Sequence, residues 1–215
     1  MCRRYTGVMA VTSQLESERK YDVDEWTELP DLSRVAKVER EEPVMLRAVY
    51  FDTADGALAA ARMTLRRRTG GKDEGWHLKT PEGEGGRREH QAPLGDASDS
   101  EPPAELLEPV GDILGGRPVG EIARLHTQRT VVTLVREGQP IAEVADDLVS
   151  ATDVRTGILR VWREWECELL DGAPEADEER LGLLDRIEGL LLSAGARPAS
   201  AASKLARATG RSGLG

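Results

Sequence analysis

In the segment WREWECELL, residues 162–170, Glu164, Glu166 and Glu168 alternate with Trp165, Cys167 and Leu169. Side chains two apart in a β-strand point the same way, so a strand here has one acidic side and one apolar side, an order that no helix sorts onto two faces. The alternation recurs. Glu16, Glu18 and Lys20 share a side in ESERK, Arg66 and Arg68 in TLRRRT, and Arg87 and Glu89 in GRREH. His77 and Lys79 lie opposite Trp76 and Leu78 in WHLKTP, and Glu143 and Asp147 opposite Val144 and Leu148 in AEVADDLV. The period-2 pattern predicts an antiparallel β-rich body up to about residue 170. Such strands suit a sheet with one wet face. They also suit a barrel that turns its charged faces inward and its apolar faces outward under helices, and the segregation of acids and bases by strand favours this second arrangement.

Helical spacing takes over in DEERLGLLDRIEGLLLSAG, where Leu183, Leu184, Ile187, Leu190 and Leu191 form one stripe and Gly195 is a stop signal. GALAAAR, VGEIARLH and SAASKLARA are shorter helical candidates, the last with Ser200 as cap. Trp26, Trp162 and Trp165 are expected to pack. Residues 81–105 are rich in turn formers around one strand candidate and read as a long connection. With 215 residues and 39% hydrophobic content the chain reads as one domain, and its net charge of −10 opposes general attraction to nucleic acid or an anionic membrane. Cys2 and Cys167 have no metal-ligand or disulfide-framework spacing, and no apolar run reaches membrane-spanning length, so a cytoplasmic location is expected.

Carboxylates on some strands and guanidinium or ammonium groups on others point to a compound ligand. A hard divalent cation takes carboxylate oxygens, and a polyphosphate takes Arg and Lys. The ordered motifs ESERK, YFDT, TLRRR, GWHLKTP, RREHQAPL, QRTVVTL, WREWECEL and SKLARA resemble the CYTH domain family, the triphosphate tunnel metalloenzymes. The likeness is to the CYTH module that in many bacterial proteins precedes an all-helical CHAD domain, which the 215 residues are not expected to contain.

The resemblance implies an α+β fold, an eight-stranded antiparallel β-barrel forming a triphosphate tunnel with helices packed outside. It implies a CYTH domain over residues 13–208, a flexible N-terminal extension over 1–12 and a C-terminal tail over 209–215. It further implies Mg²⁺ or Mn²⁺ held by Glu16, Glu18, Glu143, Asp147, Glu166 and Glu168, and a triphosphate bound by Lys20, Arg66, Arg68, Lys79, Arg87, Arg129 and Lys204. Lys20 and Glu18 would be catalytic. Register alone leaves Arg87 against Arg88, and Asp146 against Asp147, open. The implied activity is metal-dependent triphosphate hydrolysis, with inorganic tripolyphosphate the simplest substrate and organic triphosphates or polyphosphate as other ligands. Adenylyl cyclase activity and polyphosphate binding without turnover are the alternatives.

Overall fold

A computed structural model describes residues 11–83, 86–95 and 101–210, except the side chains at 14–16 and 86. Cys2 and the Glu16 side chain therefore lie outside the described residues. The strands are β1 (Thr12–Glu16), β2 (Glu18–Val23), β3 (Lys37–Arg40), β4 (Val44–Asp52), β5 (Thr64–Thr69), β6 (Gly75–Glu82), β7 (Gly86–Ala92), β8 (Gly120–Arg136), β9 (Gln139–Asp153), β10 (Leu159–Leu169) and β11 (Arg197–Pro198). The helices are α1 (Ala57–Ala60), α2 (Ala104–Leu107), α3 (Gly111–Leu114), α4 (Asp177–Ser193) and α5 (Lys204–Thr209). β1 and β2 are one run broken at Ser17, and β3 and β11 are short additions; the others complete the eight main strands expected of the α+β fold. No helix among the described residues is long and apolar enough to cross a membrane.

The chain forms two compact units. Of the described residues, the first contains those at 11–15 and between 48 and 122, with strand order β1-β7-β6-β5-β4. Leu65 of β5 stands opposite Leu78 of β6, and Arg67 opposite Trp76. Leu65, Trp76 and Leu78 are fully buried with Leu58, Leu106 and Val110 from the helical segments, and the Phe51 and Trp76 rings lie 5.2 Å apart. The YFDT motif starts α1: the Asp52 carboxylate accepts the main-chain N–H groups of Thr53, Leu58 and Ala59, and Thr53 Oγ1 accepts that of Ala57. Its role is to satisfy a helix terminus.

The second unit contains the described residues 16–47 and 123–210, with order β8-β9-β10-β2-β11 and β3 paired to β8. The apolar sides of these strands carry Tyr21, Val144, Trp165 and Cys167, over which α4 lays Leu183, Leu184, Ile187 and Leu191. Arg19 fixes α4 from its polar flank through Asp185 at 2.7 Å and through Glu188. Cys167 is a free, buried thiol whose pKa burial pushes up to about 12.

Three local expectations are corrected. VGEIARLH opens β8 instead of forming a helix, because pairing with β9 from Ala123↔Asp153 onward outweighs local helical preference. The cap of α5 is Ser203, whose Oγ accepts the Ala206 N–H at 3.1 Å, while Ser200 gives its own N–H to Asp22. Trp26 does not pack: it is 86% exposed in the turn after β2.

Candidate active site

In the second unit the polar sides of four strands line up in rows. Glu143 of β9 pairs with Glu168 of β10, which pairs with Glu18 of β2. The next row holds Glu166 and Lys20, and the one after it Arg129, Asp147, Glu164 and Asp22. Like charges stacked in this way repel unless cations lie between them. Lys20 Nζ reaches Glu18 at 2.6 Å and Glu166 at 2.5 Å. Arg129 grips Asp147 with two parallel bonds of 2.7 and 2.6 Å and reaches Glu166 at 2.8 Å. Lys204 lies 2.9 Å from Asp147, 2.6 Å from Glu164 and 2.9 Å from Glu166.

Lys204 owes its place to α5. Leu205 and Ala208 bury one side of this short helix, and Arg160 donates to the Ala208 carbonyl at 2.7 Å. Arg207 donates to Asp22 at 2.5 Å and lies 5.1 Å from the centre of the Trp162 ring, whose indole N–H bonds Glu164. The turn that ends α5 needs Gly210: φ is 66°, and a Cβ there would stand 2.8 Å from the Arg160 guanidinium.

Protonation follows from the pairing. Burial alone would push the Lys20 and Lys204 ammonium groups down, but Glu166 and Glu18 around the first, and Asp147, Glu166 and Glu164 around the second, hold both above the ordinary lysine value. Burial alone would push Glu166 up, yet Lys20, Lys204 and Arg129 hold it well below the ordinary carboxylate range. Asp147 is depressed in the same way by Lys204 and Arg129. Lys20, Lys204, Glu166 and Asp147 are therefore ionised at neutral pH.

Asp147, Glu164 and Glu166 each offer an oxygen atom, all within 4.8 Å of one another. Clustered anionic oxygens are the donor chemistry of Mg²⁺ and Mn²⁺, so these residues fit such an ion. Glu164, which the resemblance did not place among the metal ligands, belongs to this group, while Glu143, Glu168 and Glu18 occupy the neighbouring row. Asp146 points away, paired with Arg163 at 2.6 Å, so register puts Asp147 on the charged side.

The first unit carries the other basic residues. Arg66 pairs in register with His77, Lys79 with Glu89, and Arg87 stands opposite Pro81, which places Arg66, Lys79, Arg87 and Glu89 on one face. Glu89 Oε1 lies 3.1 Å from His77 Nδ1, 3.5 Å from Arg66 and 3.8 Å from Lys79. Arg68 is buried and pairs with Asp73 of the β5–β6 turn. Arg87 is apart from this group, its guanidinium donating to the Arg62 carbonyl at 3.1 Å; Arg88 pairs with Glu82. Glu89 and His77 are the residues whose importance the sequence understated. Their parity was visible, but the sharing of one carboxylate among three cationic or basic groups was not.

The model of the CYTH domain family matches residues 14–195. The chain belongs to the CYTH domain family. An uncharacterized protein of Mycobacterium tuberculosis, found in strains CDC 1551 and H37Rv, is 43% identical over 94% of this chain, which spans 41% of the relative's length. Among solved structures, a proposed adenylate cyclase from Bacillus halodurans superimposes with a TM-score of 0.60 and 21% identity, covering 91% of this chain and 97% of the other. A proposed adenylyl cyclase from Hippeastrum with a dominant triphosphatase activity gives 0.55 and 22%, covering 93% and 97%. At these identities the likeness establishes the CYTH fold.

Proposed function

We propose that this CYTH domain hydrolyses a triphosphate, inorganic tripolyphosphate being the simplest substrate, with Mg²⁺ or Mn²⁺ as cofactor. The observation that carries this reading is the convergence of Lys20, Arg129 and Lys204 on Asp147, Glu164 and Glu166. The cations and carboxylates satisfy one another in a site poised for exchange. Phosphate oxygens recruit the ammonium and guanidinium groups, and the freed carboxylates are left to hold a divalent ion. When bound, that ion neutralises charge on the phosphoryl oxygens. Lys204 and Arg129 bind phosphate oxygens and offset the charge that develops as the phosphoanhydride bond breaks. Lys20, held between Glu18 and Glu166, orients the attacking water. Glu16, Glu18, Glu143 and Glu168 are proposed as further metal ligands, and Arg66, Arg68, Lys79 and Arg87 as phosphate-binding residues.

Phosphate release should be fastest with tripolyphosphate in Mg²⁺ or Mn²⁺ and vanish in chelator. Cyclic AMP from ATP as the dominant product would replace hydrolysis with cyclisation, and tight binding without turnover would make this a polyphosphate receptor.

A separate measurement tests the basic face. Arg66→Ala should weaken tripolyphosphate binding about tenfold to a hundredfold, the range for a charge-assisted hydrogen bond. Arg67→Ala should leave it nearly unchanged, because Arg67 shares the side of Leu65 and Trp76. Calorimetric titration reads both, and equal losses would refute this division of faces.

A further inference from the structure

His77 of β6 is fully enclosed, yet both of its ring nitrogens face acceptors. Nδ1 lies 3.1 Å from Glu89 Oε1, and Nε2 lies 3.0 Å from the main-chain carbonyl of Asp73. A neutral imidazole has a single N–H, so it serves one acceptor and turns a lone pair on the other. Only the imidazolium satisfies both.

The charged neighbours come from every side of the ring. Arg66 and Arg68 approach from β5, Lys79 shares β6, Glu89 belongs to β7, and Asp73 lies in the turn before β6. Burial, helped by Arg66 and Arg68 against the pull of Glu89, holds His77 down to about 4, so its ring is neutral at pH 7 in the unliganded protein. The backbone gives little slack for the ring to turn away. β6 begins at Gly75, where a Cβ would stand 2.6 Å from the Ala92 carbonyl of β7.

Glu89 is the shared counter-ion of this group. Arg66 and Lys79 touch it only at the limit of ion-pair distance, 3.5 and 3.8 Å. A polyanion that draws both cations toward itself removes their share of its compensation, and a buried carboxylate deprived of counter-charge is strongly unfavourable. The same polyanion offsets the positive potential that keeps His77 neutral. Both changes favour a proton on the ring.

Building on the triphosphate reading, we infer that His77 is a positioning residue that takes up a proton when a polyphosphate binds Arg66 and Lys79, its imidazolium then holding Glu89 and the Asp73 carbonyl while the two cations turn to the ligand. The proton comes from water and returns there when the anion leaves. No bond to phosphorus is made or broken by this residue.

The test is calorimetry of the intact chain with inorganic tripolyphosphate, in chelator, at pH 7 and in buffers of different ionisation enthalpy. The wild type should take up close to one proton more per binding event than Glu89→Gln, whose neutral amide needs no imidazolium. Between pH 8 and pH 6 the affinity of the wild type should rise relative to this variant, by at most about tenfold per pH unit for one linked proton. Titration of the ligand itself is common to both proteins and cancels. NMR of the unmodified chain provides a check independent of any variant: the His77 imidazole should change from neutral to imidazolium resonances when tripolyphosphate is added at pH 7. Binding with equal proton uptake in both proteins and an unchanged His77 resonance overturns the proton linkage and leaves the triphosphate reading standing. Absence of tripolyphosphate binding in the wild type both in chelator and with Mg²⁺ added overturns both.

Discussion

Glu166→Gln should lower kcat/KM for tripolyphosphate by about a hundredfold to a thousandfold, the range found when one preorganised charge-stabilising group is removed from an active site. Glu166 is the residue on which the charged network converges, contacted by Lys20 at 2.5 Å, Arg129 at 2.8 Å and Lys204 at 2.9 Å. The amide supplies no negative charge to hold these cations and is a poor ligand for a hard divalent ion. Its NH₂ group also turns a donor toward ammonium or guanidinium groups that have only donors to offer. Removing one partner of a buried ion pair destabilises by about 3–5 kcal/mol, so folding must be checked by circular dichroism and thermal melting beside the kinetics. Two further variants separate lost chemistry from lost structure. Lys204→Met removes a cation from α5 and should likewise abolish most activity. Glu188→Gln alters a carboxylate on α4 that pairs with Arg19, outside the charged rows, and should leave turnover intact. A folded Glu166→Gln protein turning over within about threefold of wild type at limiting Mg²⁺ would remove Glu166 from the site, since even one lost charge-assisted bond exceeds that factor.

Much of this arrangement was legible before any coordinates. Strand parity depends only on a period of two, so the separation of Glu164, Glu166 and Glu168 from Trp165 and Cys167 could be read from one segment, as could that of Arg66 from Arg67. Register between strands is a different matter. Whether Asp146 or Asp147 turns to the charged side depends on how β9 meets β10, and Leu148↔Arg163 with Asp147↔Glu164 settles it. Side-chain reach was hidden as well. Glu164 joins Asp147 and Glu166 because Lys204, far along the chain, is delivered to all three by α5. The start of β8 shows the limit of local signals: in VGEIARLH the spacing of Ile122, Ala123 and Leu125 suits a helix, and pairing with β9 overrides it. Glu89 was read as one more charge on a strand, and its significance emerges only from Lys79↔Glu89 and Arg66↔His77 together.

Acidification should destabilise the unliganded protein in two stages. The first belongs to His77, whose pKa is about 4 in the folded chain against 6.5 for the ordinary side chain. Because the folded value is the lower one, the unfolded chain binds the proton first, and stability falls as pH drops from 6.5 toward 4. A shift of this size corresponds to about 3 kcal/mol for a fully buried group. The second stage belongs to Asp147, Glu166 and Glu89, all held below the ordinary carboxylate range. Their contribution is complete above the unfolded carboxylate value near 4 and is lost as pH falls below it through their folded values, when the pairs with Lys20, Lys204, Arg129 and Lys79 lose their negative partners. Urea unfolding at a series of pH values resolves the stages. His77→Gln should erase the slope between pH 6.5 and 4 while keeping the steeper loss below it. A wild-type stability that stays flat down to pH 4 would mean that His77 already carries its proton in the unliganded fold, and the two acceptors on its ring would then be satisfied before any anion arrives.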